Sequence, residues 1–241
     1  MAVAESIARP ARSDSTFFPT MAAAMALTAF AGFARSFYLK PLFHVPPELS
    51  LLMIVHGLVF TAWMTVLVTQ TGLVAGNRRD LHRKLGVFGA GLAAAMIVLG
   101  LWLALDALRR GFSPMQGVPP YIFFSIPFFD MVVFAGLVTA GIASRTRLAW
   151  HKRLMILSTA GLLDAAVARI PLDFISNGGP PVFFALSDLF IVAVGLYDVA
   201  TLRRVHPATL WAGGAIIVSQ VFRLWLGGTP AWQSFTMLFL N

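Results

Sequence analysis

Apolar residues run along this chain in long blocks separated by short polar interruptions, and each block has the length of a bilayer crossing. A membrane helix needs about 20 predominantly apolar residues. Seven blocks meet that requirement: Phe17 to Leu39, Leu49 to Ala75, Leu85 to Leu108, Tyr121 to Ala143, His151 to Ile170, Pro181 to Leu202, and Ala208 to Leu226. The pattern predicts an all-α polytopic transmembrane bundle. Residues 1–16 read as a polar amino-terminal tail carrying Arg9, Arg12 and Asp14, residues 17–228 as the membrane domain, and residues 229–241 as an interfacial segment. The run from Trp232 to Leu240 is too short to cross, and Trp225 and Trp232 suit anchors at the membrane surface. Connections are expected at Pro46-Pro47, Pro119-Pro120, Asn177-Gly178-Gly179-Pro180-Pro181 and Pro207, where proline and glycine interrupt the runs. The first run spans rather than reading as a cleaved signal, because no clear small-residue cleavage site follows it.

Composition agrees: 58% of the 241 residues are hydrophobic and 12% charged, with a mean hydropathy of +0.80. Such a chain is solvated by lipid. The absence of cysteine excludes disulfides, iron–sulfur clusters and thiolate metal sites. The excess of 18 Lys and Arg over 10 Asp and Glu would suggest nucleic acid in a soluble protein. Here it falls between apolar runs, where it orients helices and meets anionic membrane lipids, so nucleic acid is not expected as a partner. Arg9, Arg12, Arg78, Arg79, Arg83, Lys84, Arg145, Arg147, Lys152, Arg153, Arg203 and Arg204 fall on one side of a seven-span topology, 12 of the 18 basic residues. The positive-inside rule then predicts an amino terminus inside and a carboxyl terminus outside, and a bacterial inner membrane is the expected location.

Candidate chemistry lies in the histidines. His82 opens the third span, His151 the fifth, and His206 precedes the seventh, all at similar depth, while His56 lies inside the second and His44 in an outer loop. The stretch His56-Gly57, Trp63, Gln70, then His82-Arg83-Lys84-Leu85-Gly86 resembles the first two core helices of the cytochrome b561 family. It is more closely similar to a group of uncharacterised bacterial membrane proteins with a His-Arg-x-Leu-Gly motif. Trp150-His151-Lys152-Arg153-Leu154 looks like the opening of the family's fourth core helix. The resemblance covers residues 49–170 and rests on short motifs. Low-spin haem b needs two imidazoles facing each other from packed helices, with basic residues near its propionates. His82 and His151 match that need, with Arg83, Lys84, Lys152 and Arg153 beside them. The resemblance also implies a second haem held by His56 and a histidine early in the third core helix. The fourth span offers Tyr121, Pro127 and Asp130 but no histidine, so one haem at most is expected, serving electron transfer or redox sensing.

Other assignments of the same residues remain open. His82, His151, His206 and Asp198 together suit zinc, with tetrahedral coordination or an open water position. That set and the topology are similar to the adiponectin-receptor type of membrane hydrolase, whose paired histidines in the last helix are missing here. In the third alternative the protein is a non-catalytic ligand-binding or subunit protein, with histidines that only bond lipid heads or neighbouring carbonyls.

Charged residues inside spans face the bundle rather than lipid. His56, Asp130, Arg169, Asp188 and Arg223 form an expected outer polar cluster, with an ion pair between Arg169 and Asp188 and His56 joining them. Asp130 and Asp164, near mid-membrane, are expected to be protonated or paired. A quinone or lipid-derived small molecule suits a pocket of this kind, and no residue selects between them. Gly86, Gly89, Gly136 and Gly141 read as sites of close helix packing.

Overall fold

A computed structural model describes residues 12–44, 48–115 and 117–240, so Arg9 and the Pro46-Pro47 connection lie outside the described residues. The chain forms α1 (Arg12–Phe33), which continues through a π-helical turn at Ala34–Tyr38, then α2 (Lys40–Phe43), α3 (Leu51–Ala75), α4 (Arg79–Arg109) and α5 (Pro120–Ala143). It continues with α6 (Leu148–Ala160), α7 (Asp164–Val167), α8 (Asp173–Leu202), α9 (Pro207–Gly227) and α10 (Pro230–Met237). There is no strand among the described residues. Among the described residues, six helices are long and apolar enough to cross a membrane: α1 with its π turn, α3, α4, α5, α8 and α9. Their outward faces carry large apolar side chains, among them Leu27, Leu58, Val87, Trp102, Leu196 and Trp211. Those residues exchange water for lipid at no cost, and this is an integral membrane protein.

Helix starts follow local chemistry. Ser50 caps α3 by accepting the Met53 N–H at 3.3 Å, and Thr229 caps α10 through Trp232 N–H at 3.2 Å. Proline occupies the first helical position of α5, α9 and α10, where its missing N–H costs nothing.

The fifth expected span differs in the structure. The run from His151 to Ile170 is not one helix: α6 ends at Ala160, a three-residue turn follows, and α7 resumes at Asp164. Asp164 Oδ1 accepts its neighbour's N–H, Ala165, at 2.6 Å, a local bond that competes with helical continuation at a site already loosened by Gly161. Pro171 then terminates the segment. Asn177 to Pro181 does hold an interruption: Gly179, at φ 63° and ψ −159°, is non-helical, so α8 is two helical stretches meeting at a kink, and a further turn lies earlier, around Pro171 and Leu172.

The broken segment lies at the centre. Leu157 and Ile156 of α6 pack with Met25 of α1, Val194 of α8 and Ile216 of α9. Trp63 of α3 packs with Met96 of α4 and Phe134 of α5 and donates its indole N–H to Thr159 Oγ1 of α6 at 3.1 Å. Near the start of α1, Asp14 accepts from Lys152 of α6 at 2.5 Å and from Tyr197 of α8 at 2.7 Å. Near its end, Gly32 lies directly against the Ala166 backbone of α7. At that far end α10 covers α4 and α5: Trp232 donates to the Tyr121 carbonyl at 2.7 Å, and Arg109 to the Phe239 carbonyl at 3.0 Å.

Candidate functional site

The first turns of α4 and α6 bring His82 and His151 together, with ring centroids 6.1 Å apart and planes at 83°. His151 Nδ1 lies 2.8 Å from the Gly141 carbonyl at the end of α5. A carbonyl only accepts, so Nδ1 carries a proton and donates it, which leaves Nε2 as the nitrogen of this ring that could ligate a metal. This is the outer bond that orients metal-ligating imidazoles. His82 Nδ1 is buried with no hydrogen-bond partner. A ring nitrogen left in that condition is uncommon, because buried polar atoms are nearly always bonded.

The basic residues expected to serve as propionate partners are differently employed. Arg83 remains exposed, leaning on the Arg79 carbonyl at 3.4 Å. Lys152 is bonded to Asp14. Arg153 turns inward: its Nε donates to Asp198 Oδ1 at 2.9 Å, its Nη2 donates to the same oxygen, and its Nη1 donates to the Ala149 carbonyl at 2.9 Å.

Asp198 is thereby removed from the expected metal set. Its second oxygen accepts the Thr209 hydroxyl at 2.5 Å and the His206 backbone N–H at 3.0 Å. His206 sits against Trp150, ring centroids 5.7 Å apart, and its Nδ1 accepts the Ala208 N–H at 3.0 Å as the cap of α9. Burial of its ring, with the Arg153 charge nearby, holds the His206 pKa below the ordinary histidine range. No group of three or more His, Asp or Glu side chains among the described residues is close enough to hold a metal ion.

The outer cluster divides in the structure. Arg223 of α9 pairs with Asp130 of α5, with a second carboxylate, Asp164 Oδ2, 3.6 Å from the same Nη1. Arg223 also donates to the Ile126 carbonyl at 3.1 Å and lies over the Phe184 ring at 5.0 Å. The expected Arg169 to Asp188 pair is not formed. Asp188 accepts from Gln220 of α9 at 2.9 Å, while Arg169 bonds the Ala165 carbonyl at 2.5 Å and covers the Phe33 ring at 4.7 Å. The turn after α7 aims Arg169 at α1, away from α8. His56 stands apart, stacked on Phe60 at 4.1 Å, with Nδ1 unbonded. An open groove of about 340 Å³ between α1 and α3, lined by Phe30, Tyr38, Thr61, Met64 and Thr65, faces lipid away from both clusters.

Gln220 and Thr209 take part in these networks and were not foreseen as site residues. Their signal was their polarity within an apolar span, with Gln220 one turn before Arg223 on the same helix face. No protein-family model, no curated protein and no solved structure gives a significant match to the chain.

Proposed function

We propose that this protein holds one haem b between His82 and His151 and serves electron transfer or redox sensing in a bacterial inner membrane. The observation that carries the reading is the approach of these two rings to a centroid distance of 6.1 Å. Two imidazoles bound to one metal ion have centroids roughly 6 Å apart, from a metal–nitrogen bond of about 2.0 Å on each side plus the ring radius. The donor set fits as well: the Gly141 carbonyl orients the His151 ring, and His82 Nδ1 is a buried nitrogen with no hydrogen-bond partner. When bound, haem supplies one-electron chemistry. His82 and His151 would hold it, the Gly141 carbonyl would orient one ring, and Arg83 and Lys84, both exposed, are the basic residues that would meet a propionate. Packing of Trp63, Met96 and Phe134 behind the pair keeps water from the bundle interior.

The same reading includes seven crossings, with α6 and α7 as the two halves of the fifth. Supporting it, this segment meets α1 at Asp14 and again at Gly32. Those positions are 18 residues apart on α1, about 27 Å of helix, close to the thickness of the hydrocarbon layer. Seven crossings put the termini on opposite sides, the basic connections inside.

The test is a reduced-minus-oxidised spectrum of detergent-purified protein expressed with ample haem, together with metal analysis. A Soret band of one haem per chain, lost in His82→Ala and in His151→Ala, is expected. Wild-type protein without a Soret band overturns the reading. Stoichiometric zinc in its place favours the hydrolase alternative, and the absence of both favours a non-catalytic ligand-binding or subunit role.

A further inference from the structure

The centre of the bundle holds an unbalanced set of charges. Arg223 faces two carboxylates, Asp130 at ion-pair contact and Asp164 at 3.6 Å, and all three side chains are at most 7% exposed. Both carboxylates stand against the same Arg223 Nη1, yet Asp164 Oδ2 has no hydrogen-bond partner. One guanidinium neutralises one carboxylate. A second bare negative charge in this interior is too costly to persist unpaired, and carboxylates sharing a site do not both ionise readily.

No second cation pairs with Asp164 at contact among the described residues. Arg169 acts on Asp164 only at longer range, because its guanidinium is held by the Ala165 carbonyl and lies over the Phe33 ring. Asp188 of α8 would add negative charge, and it is occupied with Gln220. His56 of α3 stacks on Phe60 and makes no ion pair among the described residues. Around the triad, α5 and α8 contribute Ile126 and Phe184.

We propose that Asp130 and Asp164 share one exchangeable proton against Arg223, forming a proton-binding site in the membrane interior at the break between α6 and α7. The proton restores neutrality and gives Asp164 Oδ2 the hydrogen bond it lacks. The three groups come from α5, α7 and α9, so gain or loss of this proton bears directly on how the broken segment sits between its neighbours. The site is independent of the haem reading.

Infrared difference spectra of detergent-purified protein, titrated from about pH 5 to about pH 9, test this. Wild type is expected to show a protonated carboxyl band that shifts in D₂O, shifts on aspartate carboxyl ¹³C labelling, and disappears as pH rises. The band should be lost in Asp164→Asn, which keeps the side-chain shape and leaves a neutral Asp130–Arg223 pair, and retained in Asp188→Asn. No protonated aspartate band at any pH in folded wild type overturns the proposal, and that measurement needs no variant. A band insensitive to D₂O overturns exchange, and one lost only in Asp188→Asn moves the proton elsewhere. A band abolished by sodium chloride and not by choline chloride identifies a sodium ion as the occupant and overturns the proton assignment.

Discussion

Arg153 and Asp198 form an ion pair inside the bundle, with side chains 2% and 0% exposed. It joins α6 to α8, and through Thr209 and the His206 N–H it also ties down the start of α9. Removing one member leaves the other charged, buried and unpaired, which typically costs about 3–5 kcal/mol. Asp198→Ala and Arg153→Ala are each expected to lower the unfolding temperature in detergent sharply, and the double variant by much less than the sum of the two. Additive losses would show that the pair is not a coupled unit.

His206 adds a pH dependence. Its Nδ1 accepts the Ala208 N–H, and an imidazolium has no lone pair with which to accept. The pKa of the folded state is lowered, chiefly by burial and then by Arg153. The cap's contribution is therefore complete above the unfolded value of about 6.5 and is lost as pH falls below it toward the folded value. An N-cap contributes about 0.5–2 kcal/mol. Thermal unfolding at about pH 7.5 and about pH 5 should show wild type losing stability on acidification. His206→Asn, which caps without titrating, should lose less, and equal losses would remove His206 as the cause.

Bilayer-length apolar runs predict where most helices lie, because span length is a property of the local sequence. The break in the fifth run is not visible that way, since Gly161 and Asp164 are tolerated in membrane helices and interrupt this one only through local bonding. Asn177 to Pro181 is legible in composition: the helix is interrupted there at Gly179, whose positive φ is one that glycine tolerates. Depth along the spans is enough to bring His82 and His151 together. Partner choice among buried charges is not readable, because Arg223 finds Asp130 and Asp164 only when α9 packs against α5 and beside α7. Arg153 at a span end reads as a rim residue until α8 supplies Asp198.

Gly32 reports on the packing of α7. A Cβ at this position would collide with the backbone of Ala166, which cannot rotate away as a side chain can. Overpacking of this kind costs about 1–3 kcal/mol. Gly32→Ala should destabilise the protein and Gly32→Leu should abolish recovery of folded material. Gly91 on α4 has open space around it, and Gly91→Ala should be neutral or slightly stabilising through helix propensity. Equal effects at the two positions would argue against close contact between α1 and α7.

The crossing by α6 and α7 has its own readout, because the chain contains no cysteine and single cysteines can be introduced against a silent background. Arg147 precedes α6 and Leu172 follows α7, and both are exposed. If the broken segment crosses, Arg147→Cys reacts with a membrane-impermeant maleimide only from the cytoplasm, and Leu172→Cys only from outside. A carboxyl-terminal tag should likewise be reached from outside. Reaction of both cysteines from the same side would make the segment re-entrant, reduce the crossings to six, and put the carboxyl terminus on the cytoplasmic side with the amino terminus.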